Sequence, residues 1–228
     1  MAANVEASEA PLCEVWEELD GVASDVKTLV LSKVAGFTSH RYVDERLVER
    51  SGLTFLDLSR CGLEALVELR GLGQLKDLNL SQNPLGPALR PSGSLGGLSR
   101  LRSLDVSSAG LEALPQSLVT LESLESLNAS SNALTSVAMV DLASLPKLRT
   151  ANFAGNRVSS ISAAAHGLRS LNVSDNALTS LDGLKGSEDL VDLDASRNAL
   201  ARVRATQGCH FNLSRERSRN THPPYERP

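Results

Sequence analysis

The sequence has few aromatic residues, since Phe, Trp and Tyr together make up 3% of its 228 positions. Hydrophobic residues nevertheless account for 41% of the chain, which is enough for a real core. Since aromatic side chains can fill little of that core, we expect it to be built from Leu, Val and Ala.

Cysteine is also scarce, with three residues at widely spaced positions, Cys13, Cys61 and Cys209, and no CxxC pair. An odd number without that spacing predicts neither a disulfide framework nor a zinc site. A reducing compartment is the simplest interpretation. The sequence therefore predicts no metal and no other cofactor.

A signal peptide and long apolar runs are missing from the sequence as well. The first ten residues, "MAANVEASEA", lack a basic start and an apolar run, and no stretch approaches about 18 consecutive apolar residues. From these features we expect an intracellular protein, nuclear or cytoplasmic, that has no membrane partner.

Charge is unevenly distributed along the chain, whose formal net charge is −4. Residues 1–25 hold seven carboxylates and no Lys or Arg, whereas residues 201–228 hold six Arg and two Glu. The two ends are thus of opposite sign.

A repeat explains the pattern of leucines in "LRSLNVSDNALTSLDGL", residues 168–184. The spacing L-x-x-L-x-L-x-x-N-x-L-x-x-L recurs at intervals of 20 to 26 residues, and a weaker copy begins at Val26. The clearest copies begin at Leu53, Leu75, Leu101, Leu124, Leu148, Leu168 and Leu190. This is the pattern of leucine-rich repeats.

Each repeat predicts a short strand whose alternate residues point inward, as Leu171 and Val173 do in "SLNVS". The fold class is therefore α/β: a leucine-rich repeat solenoid with a curved parallel sheet on the concave face and short helices and turns on the convex face. An asparagine follows most strands at a constant offset, where its amide can satisfy buried backbone groups. These residues are Asn83, Asn132, Asn156, Asn176 and Asn198, with Cys61 and Ala109 at the equivalent places in two repeats.

Three regions follow from this pattern. Residues 1–25 form an acidic segment with a capping helix, whose apolar stripe is Leu12, Val15, Trp16 and Leu19. Residues 26–203 form a solenoid of about eight repeats, and residues 204–228 form a basic tail whose composition predicts disorder.

The segment "EVWEELDGVASDVKTLVLSK", and above all "SDVKTLVL" from Ser24 to Leu31, resembles the acidic leucine-rich nuclear phosphoprotein family. The resemblance covers residues 14–85 and implies a non-enzymatic protein that binds other proteins, including histones and phosphatases. The repeats from Leu101 onward are similar to those of the leucine-rich regulatory subunit of protein phosphatase 1, which implies regulation of a phosphatase.

Catalytic motifs are missing from the sequence. His40, His166, His210 and His222 are scattered without ligands at metal-binding spacing, and neither G-x-S-x-G nor a P-loop occurs. The sequence therefore predicts a protein that is not an enzyme and has no small-molecule substrate.

The outward positions of the strands are the candidate partner-binding site. Five of them are acidic and none is basic, which favours a basic partner such as a histone. The alternative is that Asp or Asn followed by Ser is only the strand consensus. The candidate residues are Phe55, Asp57, Asp77, Asn79, Asp105, Asn128, Asn152, Asn172, Asp192 and Asp194.

A row of basic residues is expected along one rim of the sheet, because its members share the second position of their repeats. They are Lys27, Lys76, Arg102, Arg149 and Arg169. The outward positions lack basic residues, and lack aromatics apart from Phe55, which argues against nucleic acid as a partner. Salt bridges to a protein, or simple solvation, are the two alternatives for this row.

Overall fold

The structure is a computed structural model, and it describes residues 26–32, 47, 49–64, 69–86, 89, 95–135, 137–138, 142, 144–162, 167–185, 187–201 and 210–212. The strands are β1 Thr28–Val30, β2 Phe55–Asp57, β3 Asp77–Asn79, β4 Ser103–Asp105, β5 Ser126–Asn128, β6 Val137–Ala138, β7 Thr150–Asn152, β8 Ile161–Ser162, β9 Ser170–Asn172, β10 Asp192–Asp194 and β11 His210–Asn212.

Nine of these strands form one parallel sheet in the order β1-β2-β3-β4-β5-β7-β9-β10-β11. Successive repeats pair in register, so that Leu56 lies opposite Leu78 and Leu171 opposite Leu193. Parallel strands that pair in register need a return connection of similar length in every repeat. The repeats begin at intervals of 20 to 26 residues, which leaves room for such a connection in each of them. The predicted parallel sheet of a leucine-rich solenoid is thus confirmed.

The core lies behind the sheet and is made mostly of leucine. The middle residue of each of the strands β1 to β5, β7, β9 and β10 is buried, while its two neighbours are at least partly exposed. Phe153 is a fully buried aromatic residue and Ala151 takes a strand position that is leucine in the neighbouring repeats. The predicted aliphatic core is confirmed, with Phe153 as an addition.

The chain turns sharply a few residues after each of the strands β2 to β5, β7, β9 and β10, through a residue with positive φ. Gln82 has φ 58°, and its backbone N–H donates to the carbonyl oxygen of Ser107 in the next repeat at 2.8 Å. A left-handed conformation costs an L-residue about 1–2 kcal/mol, which this cross-repeat bond helps to offset. The equivalent residues are Arg60, Ser108, Ser131, Gly155, Asp175 and Arg197, with φ between 53° and 67°.

The predicted asparagine ladder joins successive repeats. The Asn83 amide Nδ2 donates to the carbonyl oxygens of Leu58 at 2.8 Å and Leu80 at 2.9 Å, while its Oδ1 accepts the N–H groups of Cys61 and Leu63. Asn132, Asn156, Asn176 and Asn198 also donate to one carbonyl in their own repeat and one in the repeat before. One buried side chain thus satisfies groups of two repeats.

Two positions of this ladder lack the amide. The Cys61 thiol donates to the carbonyl oxygen of Leu31 at 3.0 Å and so replaces part of the asparagine contact. Ala109 has no polar side-chain atom. Nearby, a Cβ atom at Gly86 would overlap the carbonyl oxygen of Gly110. Close backbone packing between small residues therefore takes the place of the amide at this junction.

The described parts of the connections between the main strands contain few helices or strands. They include 3-10 helices at Gln116–Thr120 and Asp182–Leu184. They also include a two-stranded parallel sheet formed by β6 and β8. The predicted convex face of short helices and turns thus consists, in these places, of 3-10 turns and a minor sheet.

The sheet extends past the boundary predicted at Val203. Strand β11 pairs with β10, so that Phe211 lies opposite Leu193 and His210 opposite Asp192. The segment predicted to be a basic, disordered tail, residues 204–228, contains this strand. The predicted capping helix and its anchor Trp16 lie outside the described residues.

The register of the solenoid can be tested at neighbouring residues of β9. Leu171 is 2% exposed, whereas Ser170 is half-buried on the outward side. Leu171→Asp places a carboxylate without a partner in the core and should cost several kcal/mol (about 3 or more) in unfolding free energy. Ser170→Ala should change it by no more than about 0.5 kcal/mol. Chemical denaturation measures both, and equal losses would contradict the assigned register.

Candidate functional site

The outward face of the sheet, here called the concave face, carries two rows of side chains. The first row comprises Thr28, Phe55, Asp77, Ser103, Ser126, Thr150, Ser170 and Asp192. The second row comprises Val30, Asp57, Asn79, Asp105, Asn128, Asn152, Asn172 and Asp194. All ten predicted site residues lie on this face, because each is the first or last residue of a strand whose middle residue is buried.

The second row has a structural task. The Asp57 Oδ1 atom accepts the backbone N–H of Ser59 at 2.8 Å, and Asn152 Oδ1 accepts that of Ala154 at 3.0 Å. The same contact, two residues along the chain, occurs at Asn79, Asp105, Asn128, Asn172 and Asp194. An Asx-type turn of this kind ends each strand and satisfies an N–H group that leaves the sheet. It explains why only Asp or Asn occupies this row from β2 to β10.

The residue after this turn is not part of the open face, although the sequence pattern suggests an outward position. Ser59, Ser81, Ser174 and Ser196 are buried. Their hydroxyls sit beside the turn, as at Ser174, whose Oγ donates to Asn172 Oδ1 at 2.7 Å. Only two rows are therefore available to a partner on β2, β3, β9 and β10.

The acidic residues do not form one continuous trough. Asp57 and Asp77 lie near the start of the sheet on β2 and β3, and Asp192 and Asp194 lie near its end on β10. Asp105 lies between them, and its Oδ2 accepts a hydrogen bond from Asn128 Nδ2 at 2.9 Å. Strands β5, β7 and β9 present only hydroxyl and amide groups. The face therefore has two acidic ends and a neutral centre.

Phe55 is the exception in the first row, where the other repeats place Thr, Ser or Asp. It is half-buried, and its Cα lies opposite that of Asp77 on β3. Asp57 follows two residues later on the same face of β2. A partly exposed aromatic residue thus neighbours two carboxylates at the beginning of the sheet.

The predicted basic residues line the edge of the face where the strands begin. Lys27, Lys76, Arg102, Arg149 and Arg169, here called the basic rim, are all exposed. The sequence did not predict how this edge is held together. Backbone hydrogen bonds join each rim position to the equivalent position in the next repeat, as from Arg102 N to Lys76 O at 2.7 Å.

In the described ranges of the chain, no group of three or more His, Cys, Asp or Glu side chains is arranged to hold a metal ion. Nor does any helix within those ranges have the length and apolar character needed to cross a bilayer.

The structural role of the second row can be tested at Asn152. Asn152→Ala removes the acceptor of the Ala154 N–H and should lower the free energy of unfolding by about 0.5–1.5 kcal/mol. Asn152→Asp keeps an oxygen at that place, as Asp57 and Asp105 do, and should retain most of the stability. Thermal or urea unfolding measures both variants. An aspartate variant as unstable as the alanine variant would contradict the assigned turn.

Comparisons with known proteins agree with this architecture. Residues 99–158 match the family model of the leucine rich repeat. The chain is 37% identical over 160 residues to a leucine-rich repeat serine/threonine-protein kinase 1 of Mus musculus, covering 65% of this chain and 8% of that protein. It is 36% identical over 161 residues to Tsukushi of Xenopus tropicalis, covering 66% of this chain and 45% of that protein. The chain thus spans less than half the length of these relatives.

A solved structure shares the fold. Internalin C2 from Listeria monocytogenes superposes with a TM-score of 0.64 at 21% sequence identity, covering 87% of this chain and 83% of that chain. Leucine-rich repeat domains generally mediate contacts between proteins. The repeat spacing, the parallel sheet, the asparagine ladder and these matches together show that the chain forms a parallel-sheet solenoid of the leucine-rich repeat type.

Proposed function

We propose that this protein is a non-catalytic interaction module that binds a basic protein segment, such as a histone tail, on its concave face. The observation that carries the proposal is the composition of that face, which has five carboxylates and no basic side chain on strands β1 to β10. Opposite charge on a partner accelerates association and fixes its orientation. The resemblance of residues 14–85 to the acidic leucine-rich nuclear phosphoproteins supports the choice of a histone.

The two acidic ends constrain the partner. Strands β3 and β10 are five strand spacings apart in the sheet, which corresponds to about 24 Å. Basic residues about 16 positions apart in a helix, or about seven apart in an extended segment, would reach both ends. At the β2 end, the Phe55 ring offers a cation–π contact between Asp57 and Asp77, worth about 0.5–1 kcal/mol at an exposed site.

A fivefold substitution tests the charge of the face. Replacing Asp57, Asp77, Asp105, Asp192 and Asp194 by Asn should leave the melting temperature nearly unchanged, because Asn supplies the same Oδ1 acceptor in the neighbouring repeats. The association rate with a histone H3 tail peptide should fall by about ten-fold at low salt, and its salt dependence should flatten. Stopped-flow fluorescence at several salt concentrations measures both.

A matched control separates this effect from overall charge. Glu49, Glu64, Glu112, Glu122 and Glu188 are exposed and lie outside the strands, and changing all five to Gln removes the same net charge. This control should associate at close to the parental rate. If both variants slow association equally, or neither does, the concave face is not the binding site and its acidic residues only build turns.

The second candidate is a regulator of a serine/threonine protein phosphatase, and it is favoured by the similarity of the repeats from Leu101 onward to the phosphatase 1 regulatory subunit. In that case the protein should change the activity of purified phosphatase 1 or 2A at micromolar concentration. Activity on a phosphopeptide substrate is the measurement. An unchanged rate in both assays would remove this candidate and leave the first one standing.

Both candidates place the protein inside the cell, in the nucleus or the cytoplasm. The buried thiol of Cys61 supports this placement, because its hydrogen bond to the Leu31 carbonyl requires the reduced form.

A further inference from the structure

We propose that the basic rim is a second binding surface, and that it takes an acidic segment of a protein partner. Binding of a basic segment on the concave face gives the positive charges of the basic rim no role. It rests on the alignment of the rim residues and on the absence, within the described residues, of a carboxylate paired with Lys27, Lys76 or Arg169.

The alignment follows from backbone hydrogen bonds. The N–H of Arg102 donates to the carbonyl of Lys76 at 2.7 Å, and the N–H of Arg169 donates to that of Arg149 at 2.8 Å. The chain of bonds runs without interruption through Lys27, Thr54, Lys76, Arg102, Glu125, Arg149, Arg169 and Val191. Consecutive rim positions are therefore about 4.8 Å apart, and five of the eight are basic.

Little neutralises this row in the described part of the chain. Glu125 is the acidic rim position, and its carboxylate lies 3.7 Å from Arg102 Nε. Among the described residues, no carboxylate forms an ion pair with Lys27, Lys76 or Arg169. Since the whole chain has a net charge of −4, this edge is a local reversal of sign.

Arg149 is held in place rather than free in solvent. Its Nη1 donates to the carbonyl oxygen of Gly167 in the next repeat at 2.8 Å. A guanidinium group fixed by one such bond keeps other N–H donors for a ligand, and it loses less side-chain entropy when it binds a carboxylate. The rim thus contains one preorganised cation beside Arg169.

The floor next to the rim favours a peptide over nucleic acid. Asp77 directly follows Lys76, so an acidic ligand of either kind has to follow the rim and stay off the carboxylates of the floor. Phe55 is the aromatic residue at the outward strand positions of β1 to β10, and one ring provides little stacking surface for bases. A helix with one carboxylate per turn has a repeat of about 5.4 Å, which is close to the spacing of the rim positions, so its carboxylates can follow the rim.

The test reverses the charge of two exposed rim residues. Their backbones take part in the hydrogen bonds of the sheet, but their side chains do not. The parent protein should bind a fluorescein-labelled peptide of twelve glutamates at low salt, measured by fluorescence anisotropy. Lys76→Glu with Arg169→Glu should weaken this binding by about ten-fold or more. The control pair, Arg60→Glu with Arg157→Glu, makes the same change of charge at exposed positions away from the rim, and should alter affinity less than about two-fold.

Three outcomes would overturn the proposal. They are no binding of the glutamate peptide to the parent protein, equal weakening by both variant pairs, and tighter rim-dependent binding of a twelve-nucleotide oligothymidine than of the peptide. The last would assign the rim to nucleic acid.

Thermal unfolding of each variant checks that the fold is kept. The fivefold Asp-to-Asn variant of the concave face should bind the glutamate peptide at least as well as the parent, which separates the two surfaces.

Discussion

The buried side-chain amide between successive repeats is the interaction on which this structure depends. Each turn after a strand leaves backbone carbonyl and N–H groups inside the molecule, where an unpaired group would cost about 1–3 kcal/mol. Asn132 shows the solution, since its Nδ2 donates to the carbonyls of Val106 and Ala129 while its Oδ1 accepts the N–H groups of Ala109 and Leu111. The amide lets the chain turn tightly enough for the strands to stack, and the stacked strands in turn align every outward side chain.

Much of the fold could be predicted from the sequence because the repeat fixes its own register. A strand of three residues with a buried leucine in the middle is recognisable whenever the interval is regular. Strand β11 was missed for two reasons. Phe211 follows Leu193 by 18 residues, from 193 to 211, which is less than the spacing of the other repeats. The arginine-rich sequence around it also suggests disorder. The convex connections could not be predicted, since their short apolar runs carry no clear period.

For the candidate site, the ten candidate residues lie at outward strand positions, but the sequence pattern does not show that Ser174 and its equivalents are buried, nor which side-chain atoms are structural. Asp57 and Asn172 look like members of a binding surface, yet each uses one oxygen to end its strand. Whether such an oxygen is structural or available to a partner depends on whether the side chain points at the backbone N–H two residues later. Three sets of groups remain for a partner. They are the side chains of the first row, including Phe55, the basic rim, and the atoms of the second row that the turns do not use. In the second row these atoms are the other carboxylate oxygen of each Asp and the amide nitrogen of each Asn. Adjacent surfaces of opposite sign would select a partner by its pattern of charge, because a uniformly charged ligand would be repelled by one of them.

The junction at Ala109 divides the solenoid energetically. Amide contacts link the repeats of β2 and β3 through Asn83, and those from β4 to β10 through Asn132, Asn156, Asn176 and Asn198. Between β3 and β4 the sheet hydrogen bonds continue, but in the described residues the asparagine ladder is interrupted, because Ala109 stands at its position. In a linear array each repeat is stabilised by its neighbours, so a weak junction becomes a boundary of cooperativity. The backbone amides on either side of Ala109 should therefore exchange their hydrogens as two separate groups, with the longer, C-terminal group opening more rarely than the shorter one before it.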